Sequence, residues 1–149
     1  MDFQIRAAKL GEESAIAPLY EWLLAPPGTR PAAWDPNRAE IALRAAIDSH
    51  DSVVLVADAG DELVGFLTAY RDIHSVRFGQ RAWVEDLAVH PEHRSRGIGK
   101  ALLDAAKAWA RERGATHLKL ESAEARIDAQ RFYEREGAQD RSISFGWAL

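Results

Sequence analysis

Val84-Glu85-Asp86-Leu87-Ala88-Val89-His90-Pro91-Glu92-His93-Arg94-Ser95-Arg96-Gly97-Ile98-Gly99-Lys100-Ala101-Leu102-Leu103 is the stretch whose reading decides the fold. Its first part has strand character, Pro91 marks a turn, a basic glycine loop follows, and helical spacing begins near Gly97. The start of a helix presents unpaired N–H groups and the positive end of the macrodipole. Gly97 and Gly99 have no Cβ, so phosphate oxygens can approach the main chain closely. Arg94, Arg96 and Lys100 add positive charge at the same place. Arg94, Ser95, Arg96, Gly97, Ile98, Gly99 and Lys100 together predict a pyrophosphate cradle.

Two other phosphate motifs fail on these letters. Arg94 stands where a P-loop needs its first glycine, and Ala101 where it needs Ser or Thr. Leu102 stands where a dinucleotide fingerprint needs a third small residue. The segment instead resembles the acyl-CoA loop of the GCN5-related N-acetyltransferases, whose signature is Arg/Gln-x-x-Gly-x-Gly/Ala. Arg94, Gly97 and Gly99 match it. A second block, Ala129-Gln130-Arg131-Phe132-Tyr133-Glu134-Arg135-Glu136-Gly137, is similar to the family's Ala-x-x-Phe-Tyr-x-x-x-Gly motif. The resemblance is strong over about the last two thirds of the chain and only general before that.

Composition bounds the alternatives. A length of 149 residues predicts one domain, 1–149, with room for a proper core. No cysteine occurs, which excludes disulfides, thiolate metal sites and a Cys nucleophile. The opening Met1–Arg6 does not read as a signal peptide and no apolar run reaches membrane-spanning length, so a cytoplasmic protein with no membrane partner is expected. A net charge of -4 argues against a nucleic-acid binder and suits a neutral or cationic small substrate. His90, Glu92 and His93 sit in one turn, but no matching ligand cluster occurs elsewhere, so no metal is expected.

Along the chain, strands are predicted at 3–7, 53–57, 63–70, 81–89, 117–121 and 142–148. Helices are predicted at 14–24, 37–49, 97–113 and 125–136, with Gly114 as a stop for the third. Ile41, Leu43, Ala45 and Ile47 are the apolar positions of the second helix, and Ile98, Ala101, Leu102, Ala105 and Trp109 those of the third. The result is an α/β fold, a mixed and mostly antiparallel sheet with a parallel central pair and helices on both faces, as in the resembled family.

The resemblance implies acetyl-CoA as cosubstrate and a primary amine as acceptor, whether polyamine, aminoglycoside, amino-acid derivative or protein lysine. It implies that Tyr133 protonates the departing thiolate, whereas helix spacing alone favours a packing role for Phe132 and Tyr133. Glu85 and Asp86 lie inside an apolar strand, where carboxylates need a purpose or a partner such as Arg81. Neighbouring strand residues face opposite ways, so both can line one pocket only if a bulge intervenes, and the family often has one there. Glu85 is the expected base or ammonium anchor. Leu87 and Val89 are expected to bind the pantetheine arm through their backbones. Arg126 stands where many members carry a CoA-contacting Asn, and is expected to meet a phosphate or to pair with Glu121. Ser122 is a further local candidate. The Trp22–Trp34 region is expected to border the acceptor pocket, and Phe145-Gly146-Trp147 either to take part in a homodimer or to place Trp147 in the core. The alternative function is a CoA-binding regulatory module without catalysis.

Overall fold

The computed structural model describes residues 1–149. Strands β1 (Gln4–Ala7), β2 (Ser52–Asp58), β3 (Leu63–Ser75), β4 (Gly79–Val89) and β5 (His117–Leu120) form one sheet in chain order. The first four pair antiparallel, and β5 runs parallel to β4. The β3–β4 hairpin is longer than its sequence pattern indicated, because the expected connection around Ile73–Gln80 is mostly strand. The Trp83 indole N–H donates to Asp72 at 2.8 Å across that extension.

The N-terminal helix does not run unbroken from 14 to 24. Pro18 lacks an N–H, and the chain there divides into α1 (Glu13–Ile16), a 3-10 turn (Ala17–Tyr20) and α2 (Glu21–Leu24). Helix α3 (Pro36–Asp48) starts cleanly, with Pro36 in its first turn and the Asp35 carboxylate accepting from the Asn37 N–H at 3.1 Å. Helix α4 (Ile98–Glu112) follows the glycine loop, and α5 (Ile127–Arg135) follows β5.

Strand alternation divides the core into two layers. Val54, Val56, Phe66 and Ala88 face α1 and α3, where Ile16 and Leu43 fill the space. Leu55, Leu67, Ala82 and Val84 face α4, which buries Ile98, Leu102, Leu103, Ala106, Trp109 and Ala110. The buried face of α4 therefore includes Leu103, Ala106 and Ala110, while Ala101 and Ala105 are only half-buried. In α3 the phase is set by Leu43, so Ile41 and Ala45 point outward instead of into the core.

One expected strand is not there. Residues 142–148 form no strand, and Ile143, Phe145 and Trp147 are exposed. Their alternation is a strand pattern, but a strand needs a neighbour to satisfy its backbone, and β5 pairs only with β4. The parallel pair consequently lies at one edge of the sheet and not at its centre.

At the opposite edge, Arg6 bonds Glu12 at 2.8 Å and Asp58 at 3.0 Å, tying β1 to β2 and to the start of α1. The Arg6 guanidinium holds the Glu12 carboxyl down from 4.5 to about 2. A depressed acid stabilises the fold above its unfolded value and loses that contribution as pH falls through its folded one. Between pH 4.5 and 2 the wild type is therefore expected to lose stability more steeply than Glu12→Gln, read by urea unfolding at stepped pH.

Candidate active site

The β3–β4 register carries the main feature. Thr68 pairs with Asp86 and Ala69 with Val84, which leaves Glu85 as an extra residue, a β-bulge. The bulge breaks the strand's alternation, and both Glu85 and Asp86 reach one cleft of about 350 Å³. Asp86 is already engaged, since its Oδ2 accepts from the Tyr20 hydroxyl and the Thr68 hydroxyl, both at 2.7 Å. Burial, together with the Asp86 charge, pushes the Tyr20 hydroxyl far above its usual range. Arg81 does not pair with either acid, because it turns to Asp72 at 3.9 Å. Burial raises the Glu85 carboxyl above the usual carboxylate range, and the charges of Asp86 and Glu121 add to the effect.

The cleft lies between α3 and the middle of β3 and β4 at the bulge. Ala39, Ala42, Leu43 and Ala46 line it from one face of α3, with Trp34 and Tyr20 on a second side and Tyr70 on a third. The Tyr20 ring packs on Trp34 at 5.6 Å and on Phe66 at 4.7 Å, which fixes this wall. Trp34 thus borders the cleft, whereas Trp22 packs against Phe66 and His90 outside it.

Beyond the bulge, β4 and β5 part company. Their last pair is Val84 with Leu120. The His90 N–H donates to the Val64 carbonyl at 2.9 Å, the bond that flanks a non-hydrogen-bonded Gly65–Val89 pair. By the same alternation Leu87, opposite Leu67, is also a non-bonded position. The N–H and C=O groups of Leu87 and Val89 therefore point away from β3 into the gap left by β5. Their side chains pack on the α4 layer. Just past β5, the Ser122 hydroxyl oxygen is buried without a partner.

The gap leads to the glycine loop. Ser95 and Gly97 adopt positive φ values of 62° and 84°, a curvature that turns successive N–H groups to one side. From Arg94 to Lys100 no backbone N–H finds an acceptor in the protein. Arg94, Ser95 and Arg96 are exposed, while the Ile98 side chain is core, so Ile98 can act only through its main chain. Lys100 contributes less charge than its position suggests, because its ammonium is held at 3.1 Å by both Asp104 and Glu136. A Cβ on Gly99 would meet Phe132 at 3.5 Å, an ordinary contact distance, so α4 and α5 pack closely here without requiring a glycine.

Helix α5 packs beside the glycine loop, where Glu136 reaches Lys100. Phe132 packs against the α4 layer, and the Tyr133 ring lies 5.4 Å from it. Burial raises the Tyr133 hydroxyl, and the Arg126 charge opposes that rise, so the phenol is neutral at pH 7. Arg126 does not pair with Glu121, whose carboxylate takes the Ser144 hydroxyl at 3.0 Å. Its Nη2 donates instead to the Leu23 carbonyl at 2.8 Å, closing the end of α2 against the start of α5. Gly28 makes room for this contact, since a Cβ there would stand 2.6 Å from the same nitrogen.

The description of the acetyltransferase (GNAT) family matches residues 16–138. The chain belongs to that family. As a GNAT protein it is similar to the uncharacterized N-acetyltransferase YhfO of Bacillus subtilis (strain 168), 35% identical over 136 residues that cover 91% of this chain and 89% of that one. It is also similar to streptothricin acetyltransferase of Streptomyces lavendulae, 39% identical over 87 residues covering 58% of this chain and 44% of the relative. The fold matches the aminoglycoside N-acetyltransferase AAC(6')-Iy in complex with CoA, with a TM-score of 0.85 at 16% identity, over 99% of this chain and 95% of the other. The GNAT chain described here is an N-acetyltransferase, an enzyme that moves an acetyl group to an amine. No helix in it is long and apolar enough to cross a membrane.

Most of the cleft lining of this GNAT domain was not singled out from the sequence, including Tyr20, Thr68 and Tyr70 and the α3 residues Ala39, Ala42 and Ala46. The one available signal was the carboxylate pair itself. A strand acid such as Asp86 needs donors, and Thr68 and Tyr20 supply them from 18 and 66 residues away.

Proposed function

We propose that this enzyme uses acetyl-CoA and acetylates a primary amine by direct attack. The observation that carries the proposal is the line of unpaired main-chain groups running from Leu87 and Val89 to the loop Arg94–Lys100. Such a line suits the pantetheine amides first and the pyrophosphate next. Gly97, Gly99, Ser95, Ile98 and Lys100 act through their N–H groups, and Arg94 and Arg96 supply free charge. Arg126, bound to Leu23, shapes the wall between acceptor and cofactor and tunes Tyr133. Carboxylate, phenol and main-chain groups supply the acid, base and hydrogen-bond donors of this chemistry.

The atoms balance as follows. The amine lone pair forms a C–N bond to the thioester carbonyl carbon, and the carbonyl oxygen takes negative charge. Main-chain N–H groups of the open β4 edge stabilise that oxygen. The tetrahedral intermediate collapses with cleavage of the C–S bond. Glu85, directly or through a water, takes the proton from nitrogen, and Tyr133 gives one to the departing sulfur. The products are the acetamide and CoA thiol. Holding both reactants together supplies much of the acceleration.

The test is the pH dependence of thiol release with wild type beside Glu85→Gln. Glu85 is raised, so the basic form accumulates only above the ordinary carboxylate range, and kcat should climb there as pH increases. In Glu85→Gln that acid limb is expected to vanish and kcat to fall by about 10²-fold. An unchanged limb would remove Glu85 from the proton path. Binding of acetyl-CoA with no thiol release for any amine would favour the regulatory module instead.

A further inference from the structure

The cleft at the β4 bulge is asymmetric in charge. Its lining contains no Lys, Arg or His. Its only charged groups, Glu85 and Asp86, stand together at the β4 bulge, and Asp86 already accepts two hydroxyl protons on one oxygen. One carboxylate, Glu85, is thus free to meet an ammonium group. The rest of the lining is mostly apolar or aromatic, with the rings of Trp34, Tyr20 and Tyr70, Ala39, Ala42, Leu43 and Ala46 from α3, and Ser52 as a further hydroxyl. These alanines recur on one helix face and leave a slot between α3 and the aromatic side.

We infer that the acceptor is an arylalkylamine-type monoamine, one ammonium on a short stem with a flat apolar body and no acidic group. This inference rests on the acetyl-CoA reading above and narrows it. The amine nitrogen sits at Glu85 and the body lies between Trp34 and the alanine face of α3. Aromatic walls accept either a ring or a cation, but an alanine wall suits only the ring. A polyamine or an aminoglycoside would place further ammonium groups along Ala39, Ala42 and Ala46 with no counter-charge, which costs their hydration. An amino acid or aminoalkylphosphonate would bring an anion beside Glu85 and Asp86 with no cation to meet it. A volume of about 350 Å³ is at the small end for ligand pockets and matches a single ring with its side chain. The transfer itself is unchanged, with the amine nitrogen bonded to the acetyl carbon and CoA released as thiol.

The experiment compares kcat/KM for tyramine, spermidine, kanamycin, lysine and 2-aminoethylphosphonate at saturating acetyl-CoA, with wild type and Ala42→Leu. Tyramine should exceed every other amine by at least tenfold. Ala42→Leu, which adds branched bulk to the slot, should raise KM for tyramine about tenfold and leave KM for acetyl-CoA in place. Faster turnover of spermidine, kanamycin or a zwitterion would overturn the inference while leaving the acetyl-CoA reading intact. Tyramine kinetics indifferent to Ala42→Leu would overturn it too, since the body would then lie elsewhere. Failure of every amine despite acetyl-CoA binding would remove both the inference and the reading beneath it.

Discussion

Tyr133→Phe is expected to lower kcat by about 10²- to 10⁴-fold, with little change in KM for acetyl-CoA. The substitution removes one oxygen and keeps the ring that packs 5.4 Å from Phe132, so α5 should stay in place. The thiolate would then leave without a proton donor, beside a half-buried side chain where an unneutralised charge costs more than in water. Because burial raises the Tyr133 hydroxyl, the wild type should hold its activity to above pH 10 before the donor ionises. The Phe variant should show no such alkaline fall. Stopped-time thiol assays across pH, with circular dichroism to check folding, read both effects. Equal kcat in the two proteins would return Tyr133 to a packing role.

Gly97→Ala is the second large effect, and its main consequence should be weaker cofactor binding. Gly97 has φ near 84°, where a side chain costs about 1–2 kcal/mol, so a modest loss of stability is expected. A Cβ there meets no protein atom within 4 Å. The strain at this φ should instead shift the loop whose unpaired N–H groups are proposed to hold the phosphate oxygens. Losing one charge-assisted hydrogen bond is worth about 1.5–3 kcal/mol, or roughly 10- to 100-fold in acetyl-CoA affinity. Isothermal titration of acetyl-CoA against the variant and wild type measures it. Unaltered affinity would place the pyrophosphate elsewhere.

The half of the site proposed for the cofactor is written locally in the chain, and for that reason its loop and helix could be read. A strand, a turn, Arg94, Gly97, Gly99 and an apolar helix follow one another within one stretch, and each element fixes the next. Unpaired N–H groups at a helix start are a property of any helix, so the loop's chemistry needed no knowledge of the rest of the fold. Phe132 and Tyr133 were legible for the same reason, as adjacent letters with a shared motif.

The acceptor half depends on partners far apart, and it was read only in outline. Adjacent acids on a strand point apart by default, and only the register against Thr68 and Ala69 turns Glu85 into the bulge residue. Tyr20 reaches Asp86 across 66 residues, and Arg126 reaches Leu23 across 103. No periodicity encodes such meetings. Lys100 is an intermediate case. Asp104 lies one helical turn away and was visible in the sequence, whereas Glu136 arrives only when α5 packs on α4. The final strand misled for a related reason. Ile143, Phe145 and Trp147 alternate as strand residues do, yet pairing is decided by what lies alongside, and here nothing does.

The central claim is that an acetyl group passes from acetyl-CoA to an amine in this cleft. The most direct measurement is a paired assay on one reaction mixture, with thiol quantified by absorbance and the acetylated amine by mass spectrometry. The account predicts equal amounts of the two products, formed only when acetyl-CoA and amine are both present. Thiol release that proceeds without amine, or acetyl-CoA that binds and is never consumed, would contradict it.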